Sequence, residues 1–97
     1  MEEKLLKIIN HYGVNNQQRK FQEEVFELNE AIFEKEKIGA YPGVEEIKHI
    51  AEEIADVLNM VEQFKLYYGI TSEEITNIFW SKVDRQLERI EKEAKDE

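Results

Sequence analysis

The sequence predicts an all-α protein: a compact helical bundle of one short and three long helices, forming a single domain over residues 1–97. Two observations carry this. Apolar residues recur at three- and four-residue spacing along most of the chain, and no stretch alternates convincingly with period two. The only proline, Pro42, and the four glycines, Gly13, Gly39, Gly43 and Gly69, cut that pattern into helix-length pieces.

The elements follow in order. Residues 2–12 make a short amphipathic segment through Leu5, Leu6, Ile8, Ile9 and Tyr12. Gly13 and the Asn15-Asn16 pair interrupt it, and a long helical pattern then runs from about Gln17 to Lys37. GAYPG, residues 39–43, is a turn. The second long pattern runs from Val44 to Tyr68, with Gly69 as its C-terminal cap. Thr71 followed by Glu74 reads as a capping box that opens a last helix, which runs to about Ala94 before a charged tail.

Composition narrows the function. Of 97 residues, 41% are hydrophobic and 36% charged, which gives a thin core. Small helical proteins often reinforce such a core by oligomerising, so a homodimer or homotetramer is expected to complete the bundle. Asp and Glu number 22 against 13 Lys and Arg, a net charge of -9. That balance argues against a nucleic-acid partner, because binding the phosphate backbone requires clustered positive charge. The chain has no cysteine, hence no disulfide framework and no thiolate chemistry, which fits a reducing cytoplasm. The opening MEEKLLKIINHYG reads as neither a signal peptide nor a membrane span, so a cytoplasmic location and no membrane partner are expected.

Two strings stand out. Residues 23–32 read EEVFELNEAI and residues 52–61 read EEIADVLNMV. Centring the first long helix on Val25 gives a stripe of Phe21, Leu28 and Ile32, with Glu24 and Glu27 on its shoulder. Centring the second on Ile54 gives a stripe of Ile47, Ile50, Ala51, Val57, Leu58 and Val61, with Glu53 and Asp56 at the same shoulder angles. An antiparallel turn between the helices would bring the two pairs together. Four converging carboxylates repel one another in a half-buried groove unless a cation lies among them. Hard oxygen ligands select Mg²⁺, with Mn²⁺ the alternative. A lone acid pair at i,i+3 carries little in so acidic a chain; Glu27/Glu30 and Glu88/Glu91 are such pairs and read as solvated. The duplicated placement beside an apolar stripe is the signal.

The last helix adds cations. Its stripe is Ile75, Phe79, Val83, Leu87, Ile90 and Ala94, and Lys82, Arg85 and Arg89 gather on one shoulder. Cations flanking a carboxylate-metal cluster suit a polyphosphate. Lys82 and Arg85 are assigned to substrate; Arg89 is read as an ordinary late-helix cation. Asn59, one turn past Asp56, is a candidate hydrogen-bonding partner for the sugar or phosphate. Gln17 and Lys20 read as surface residues, and Phe79 and Trp80 as core or interface. Glu46-x-x-His49 matches half of a di-iron bundle motif, but the second such unit is missing, so His49 reads as a surface residue.

Glu24-x-x-Glu27, a gap of 25 residues and then Glu53-x-x-Asp56 resembles the ExxE…ExxD signature of the MazG-like all-α nucleoside triphosphate pyrophosphohydrolases. The fuller strings EEVFELNEAI and EEIADVLNMVEQ are similar to that family's metal-binding helices. The closing KVDRQLERIE resembles its KFxRRFxxIE stretch, with Lys82, Arg85 and Glu91 kept and Val83 and Leu87 at the aromatic positions. The likeness spans residues 17–91. It implies Mg²⁺ held by Glu24, Glu27, Glu53 and Asp56, and phosphates gripped by Lys82 and Arg85. Glu23 and Glu52 read as solvated beside it. It also implies hydrolysis of a nucleoside triphosphate, a deoxynucleotide or a non-standard nucleotide, to the monophosphate and pyrophosphate, in an oligomer. Phosphoribosyl-ATP pyrophosphohydrolase activity, and a non-catalytic helical oligomerisation module, are the alternatives.

Overall fold

The computed structural model describes residues 2–38 and 43–96, with side chains for 2–33 and 43–96. Four α-helices account for almost all of them: α1 (Glu2–Tyr12), α2 (Val14–Ile38), α3 (Val44–Tyr67) and α4 (Ser72–Asp96). The all-α expectation and the division into one short and three long helices hold. Apart from Gly43, the expected GAYPG turn lies outside the described residues.

One boundary differs from the sequence reading. α2 begins at Val14, so Asn15 and Asn16 are helical rather than part of a linker. The break is confined to Gly13, whose φ of 89° lies in the left-handed region that side chains disfavour. Gly13 N–H donates to the Ile9 carbonyl at 2.8 Å, and Asn16 Nδ2 donates to the Tyr12 carbonyl at 2.8 Å. The Asn16 side chain thus caps the end of α1 from within α2.

The other end signals form as expected. Gly69 has φ 68°. Ile70 N–H donates to the Lys65 carbonyl at 2.9 Å and Gly69 N–H to the Leu66 carbonyl at 3.2 Å. This pair is a Schellman motif. Thr71 Oγ1 accepts from Glu74 N–H at 3.1 Å and caps α4.

Substantial packing joins α2 to α3, α1 to α3 and, more lightly, α1 to α2. The α2–α3 pair is antiparallel. Gln17 meets Gln63, Phe21 meets Phe64 edge-to-face with ring centroids 5.7 Å apart, and Glu24 and Glu27 lie beside Glu53. Ile9 of α1 is completely buried, and Ala31 and Met60 are the other buried apolar side chains among the described residues.

α4 does not share in this core. All its described residues are exposed except half-buried Val83. The compact packing that the sequence predicts is therefore confined, within one chain, to α1–α3. The radius of gyration, 17.3 Å, exceeds the roughly 12.5 Å of a compact chain of this length. Ile75, Phe79, Leu87 and Ile90 of the expected α4 stripe face outward, as do Ile78 and Trp80.

Because Ile9 is fully buried, its truncation leaves a cavity in the core. Ile9→Ala should lower unfolding stability by roughly 2–5 kcal/mol in urea titration, whereas truncating exposed Phe26 should change it by no more than about 0.5 kcal/mol.

Candidate metal centre

Burial places the acids differently from the predicted wheel. On α2, Gln17, Glu24 and Ala31 are buried at seven-residue steps, while Ile32 is exposed. On α3, Met60 and Gln63 are buried and Ile50, Glu53, Val57, Val61 and Phe64 are half-buried, while Ile47, Ile54 and Leu58 are exposed. Both helices are turned so that Glu24 and Glu53 sit inside the contact rather than on its shoulder. Ile54, the expected centre of its face, lies outside it. The apolar arc of α3 is too broad for one neighbour to cover, and α2 takes the carboxylate-bearing side.

One carboxylate oxygen each from Glu24, Glu27 and Glu53 lie within 4.8 Å of one another. Glu24 is buried, Glu53 half-buried and Glu27 exposed. The Oε2 atoms of Glu24 and Glu53 are buried and accept no hydrogen bond. A buried anionic oxygen without a donor is costly and uncommon. A lysine partly neutralises the cluster from one edge, and an imidazole lies at another. Lys20 Nζ lies 3.1 Å from Glu24 Oε1 and 3.7 Å from Glu23 Oε2, and His49 Nε2 lies 3.8 Å from Glu53 Oε1.

The electrostatics agree with that geometry. Burial pushes the Glu53 carboxyl above its ordinary proton affinity. Glu27 adds to the shift, His49 opposes it, and Asp56 and Glu24 add further. Lys20 is also raised, first through its hydrogen bond to Glu24 and then through that residue's charge.

Of the four expected metal ligands, then, three are gathered. Asp56 is exposed and outside the trio; it lines, with Glu24, a cavity of about 590 Å³ between α1, α2 and α3. Asn59 lines the same cavity. Lys82 and Arg85 are not brought to it. Both are on α4, and Arg85 lines a separate crevice with Trp80 and Asp84. Glu23 and Glu52 are exposed, as expected, and the His49 side chain is 57% exposed.

Gln17 and Lys20, read from sequence as surface residues, both line the cavity, and Gln17 is buried. Gln63, which no motif singled out, is 2% exposed and bonded to both Gln17 and Asn59. Its signal was its place one turn beyond Asn59, on the flank of the face that carries the acids.

The donor set fits a hard divalent cation. All the gathered atoms are carboxylate oxygens, two of the acids carry an unsatisfied buried oxygen, and no imidazole or thiolate joins the trio. Glu24, Glu27 and Glu53 are able to hold such an ion, with Asp56 beside them at the cavity.

The raised proton affinity of Glu53 has a defined sign in stability. Its protonated form is favoured in the native state, so the contribution is fully present below the ordinary carboxylate range and is lost as pH rises through the native value. In chelator, Glu53→Gln should therefore be more stable than the wild type at neutral pH. The gain should vanish in acid below the ordinary carboxylate range. Urea titrations of both proteins at the two pH values check this.

Comparison with known proteins gives no matching family model, no matching curated protein and no matching solved structure, so the centre is read from its own geometry.

Proposed function

We propose that this chain is a Mg²⁺-dependent nucleoside triphosphate pyrophosphohydrolase of the MazG-like kind, acting as a homodimer or homotetramer. The observation that carries the reading is the gathering of Glu24, Glu27 and Glu53 between two antiparallel helices, where Glu24 and Glu53 each keep a buried oxygen without a hydrogen-bond partner. The order ExxE…ExxD, which resembles that family, supports it.

A bound Mg²⁺ would supply charge neutralisation to the triphosphate and Lewis acidity towards its phosphoryl oxygens. The protein's own residues do the rest. Glu24, Glu27 and Glu53 hold the ion, and Asp56 faces the cavity next to them. One of these carboxylates takes a proton from the attacking water as its oxygen bonds to phosphorus and the α–β anhydride bond breaks. Pyrophosphate and the nucleoside monophosphate leave.

Lys82 and Arg85 grip the phosphates in this reading, and a second chain supplies them. α4 presents an uncovered apolar stripe, and α3 presents another through Ile47, Ile54 and Leu58. Pairing such surfaces between copies would complete the core and carry the α4 cations to a neighbouring carboxylate centre. The exposed α4 stripe also favours a second reading, a non-catalytic helical oligomerisation module, in which the acids catalyse nothing.

Pyrophosphate release from a panel of nucleoside triphosphates with Mg²⁺ separates the two. Turnover of at least one triphosphate is expected, and its absence across the panel favours the module. Glu53→Gln and Asp56→Asn should each leave less than about one hundredth of the activity while circular dichroism stays native. Activity near wild type in both would remove the metal-centre assignment.

The cation reading has its own thermal test. Mg²⁺ or Mn²⁺ should raise the melting temperature of the wild type by binding the native state alone. Replacing Glu24, Glu27, Glu53 and Asp56 together by their amides should abolish the rise. An equal rise in both proteins would mean that the ion merely screens the net charge of -9.

Lys82→Ala and Arg85→Ala should each cost roughly 1.5–3 kcal/mol in kcat/KM for the best triphosphate, the value of a charge-assisted contact. Arg89→Ala should change it little. The reverse order would move the phosphate grip one turn along α4.

A further inference from the structure

Lys20 stands where the carboxylates meet the cavity. Its Nζ lies 3.1 Å from Glu24 Oε1 and 3.7 Å from Glu23 Oε2, and its side chain lines the cavity that Glu24 and Asp56 also line. The two partners are unequal. Glu23 is exposed, whereas Glu24 is 6% exposed and its other oxygen, Oε2, accepts no hydrogen bond. A buried carboxylate with an unmet oxygen needs positive charge nearby. Lys20 supplies it from one turn earlier on α2. Lysine followed by glutamate at i,i+4 is the weaker order for a helix, so the pair does little for α2 itself.

His49, at the other edge, carries full charge only when protonated. Lys20 stays charged wherever the acids are ionised. Its hydrogen bond to Glu24, that residue's charge, and the charges of Glu23 and Glu27 raise its proton affinity further. Yet the pair is easily given up. The lysine side chain is 52% exposed on a flexible stem, so its ammonium can return to water at small cost. A divalent ion held by Glu24 would stand beside that ammonium, like charge next to like. Two cations would then compete for one carboxylate.

Resting on the metal-centre part of the reading above, we propose that Lys20 is the built-in counter-ion of the centre: it holds Glu24 while no metal is bound and gives it up when the ion arrives. The lysine thereby sets the ion concentration at which the centre fills. Its removal costs the metal-free protein stability and returns the same free energy as tighter ion binding, because a contact made in only one of two states is linked to the equilibrium between them.

The test is calorimetric Mg²⁺ titration of the full chain, with urea titrations in chelator and at saturating Mg²⁺. Lys20→Met keeps an unbranched apolar stem and deletes the charge. Its Mg²⁺ dissociation constant should fall about fivefold, and its unfolding constant should rise by the same factor in chelator yet match the wild type at saturating Mg²⁺. Lys20→Arg keeps a cation beside Glu24 and should stay within about twofold of the wild type. Arg19→Met removes an equal charge from the exposed cavity rim without touching the Glu24 pair, and should also stay within about twofold. NMR relaxation of the Lys20 ε-methylene reads the release directly: this group should grow more mobile over the Mg²⁺ range that fills the centre. An unchanged or weaker Mg²⁺ affinity in folded Lys20→Met, an equal gain in Arg19→Met, or a Lys20 side chain no more mobile at saturating Mg²⁺ overturns the proposal. None of these readouts needs turnover. Tighter Mg²⁺ binding by Lys20→Met in a protein inactive on triphosphates would sink the hydrolase reading and keep the counter-ion. Turnover with unchanged Mg²⁺ affinity in Lys20→Met would do the opposite. Absence of Mg²⁺ binding in both proteins would remove the centre and the counter-ion together.

Discussion

The close approach of Glu24, Glu27 and Glu53 is the constraint around which the α2–α3 pair is arranged. Two helices that meet through carboxylates must offset the repulsion or leave the charges in water. Here two of the acids are drawn inside, and each keeps an oxygen without a donor. Lys20 and His49 approach only from the rim. The interface is consequently polar along much of its length, with a bonded glutamine pair at one end, an edge-to-face phenylalanine pair next, and then the acids. Apolar burial near Ile9, Ala31 and Met60 supports the arrangement but does not relieve the charge. A divalent cation, as proposed, would relieve it at its source, and metal binding and stability would then be linked.

The same arrangement explains why so much apolar surface stays outside. Turning the acid-bearing side of α3 towards α2 leaves Ile47, Ile54 and Leu58 on the other side. α4, set apart after the Gly69 turn, adds Ile75, Phe79, Leu87 and Ile90. No described helix is long and apolar enough to cross a membrane, so these residues do not form a span. Their periodic spacing is that of helices meant to be covered by other helices. The proposed assembly and the proposed phosphate grip are thus one question, since Lys82 and Arg85 lie on the helix that one chain leaves uncovered.

The cavity joins these themes. Glu24 and Asp56 stand at its carboxylate end, while Gln17, Gln63 and Asn59, joined by hydrogen bonds, make its amide end.

Local structure is legible in the sequence. Gly13, Gly69 and the Thr71–Glu74 cap mark the helix ends where they are found, because these signals act through a few neighbouring backbone bonds. The sequence also exposed the repeated acid pairs, since three-residue spacing places them on one side of any helix. It missed the break's true extent at Asn15-Asn16, where a side-chain bond back to Tyr12 lets α2 start early. Only the tertiary structure decided which part of each broad apolar arc turned inward. Periodicity gives the direction of a face around one axis, but the choice among its sides depends on what the neighbouring helix offers. That choice drew Glu24, Glu53 and Gln17 inside, left Ile54 and Leu58 outside, kept Asp56 apart from the trio and joined Gln63 to Asn59 and Gln17. Contacts between residues 46 positions apart, as between Gln17 and Gln63, leave no trace in local spacing. They exist because two helices met at one particular rotation.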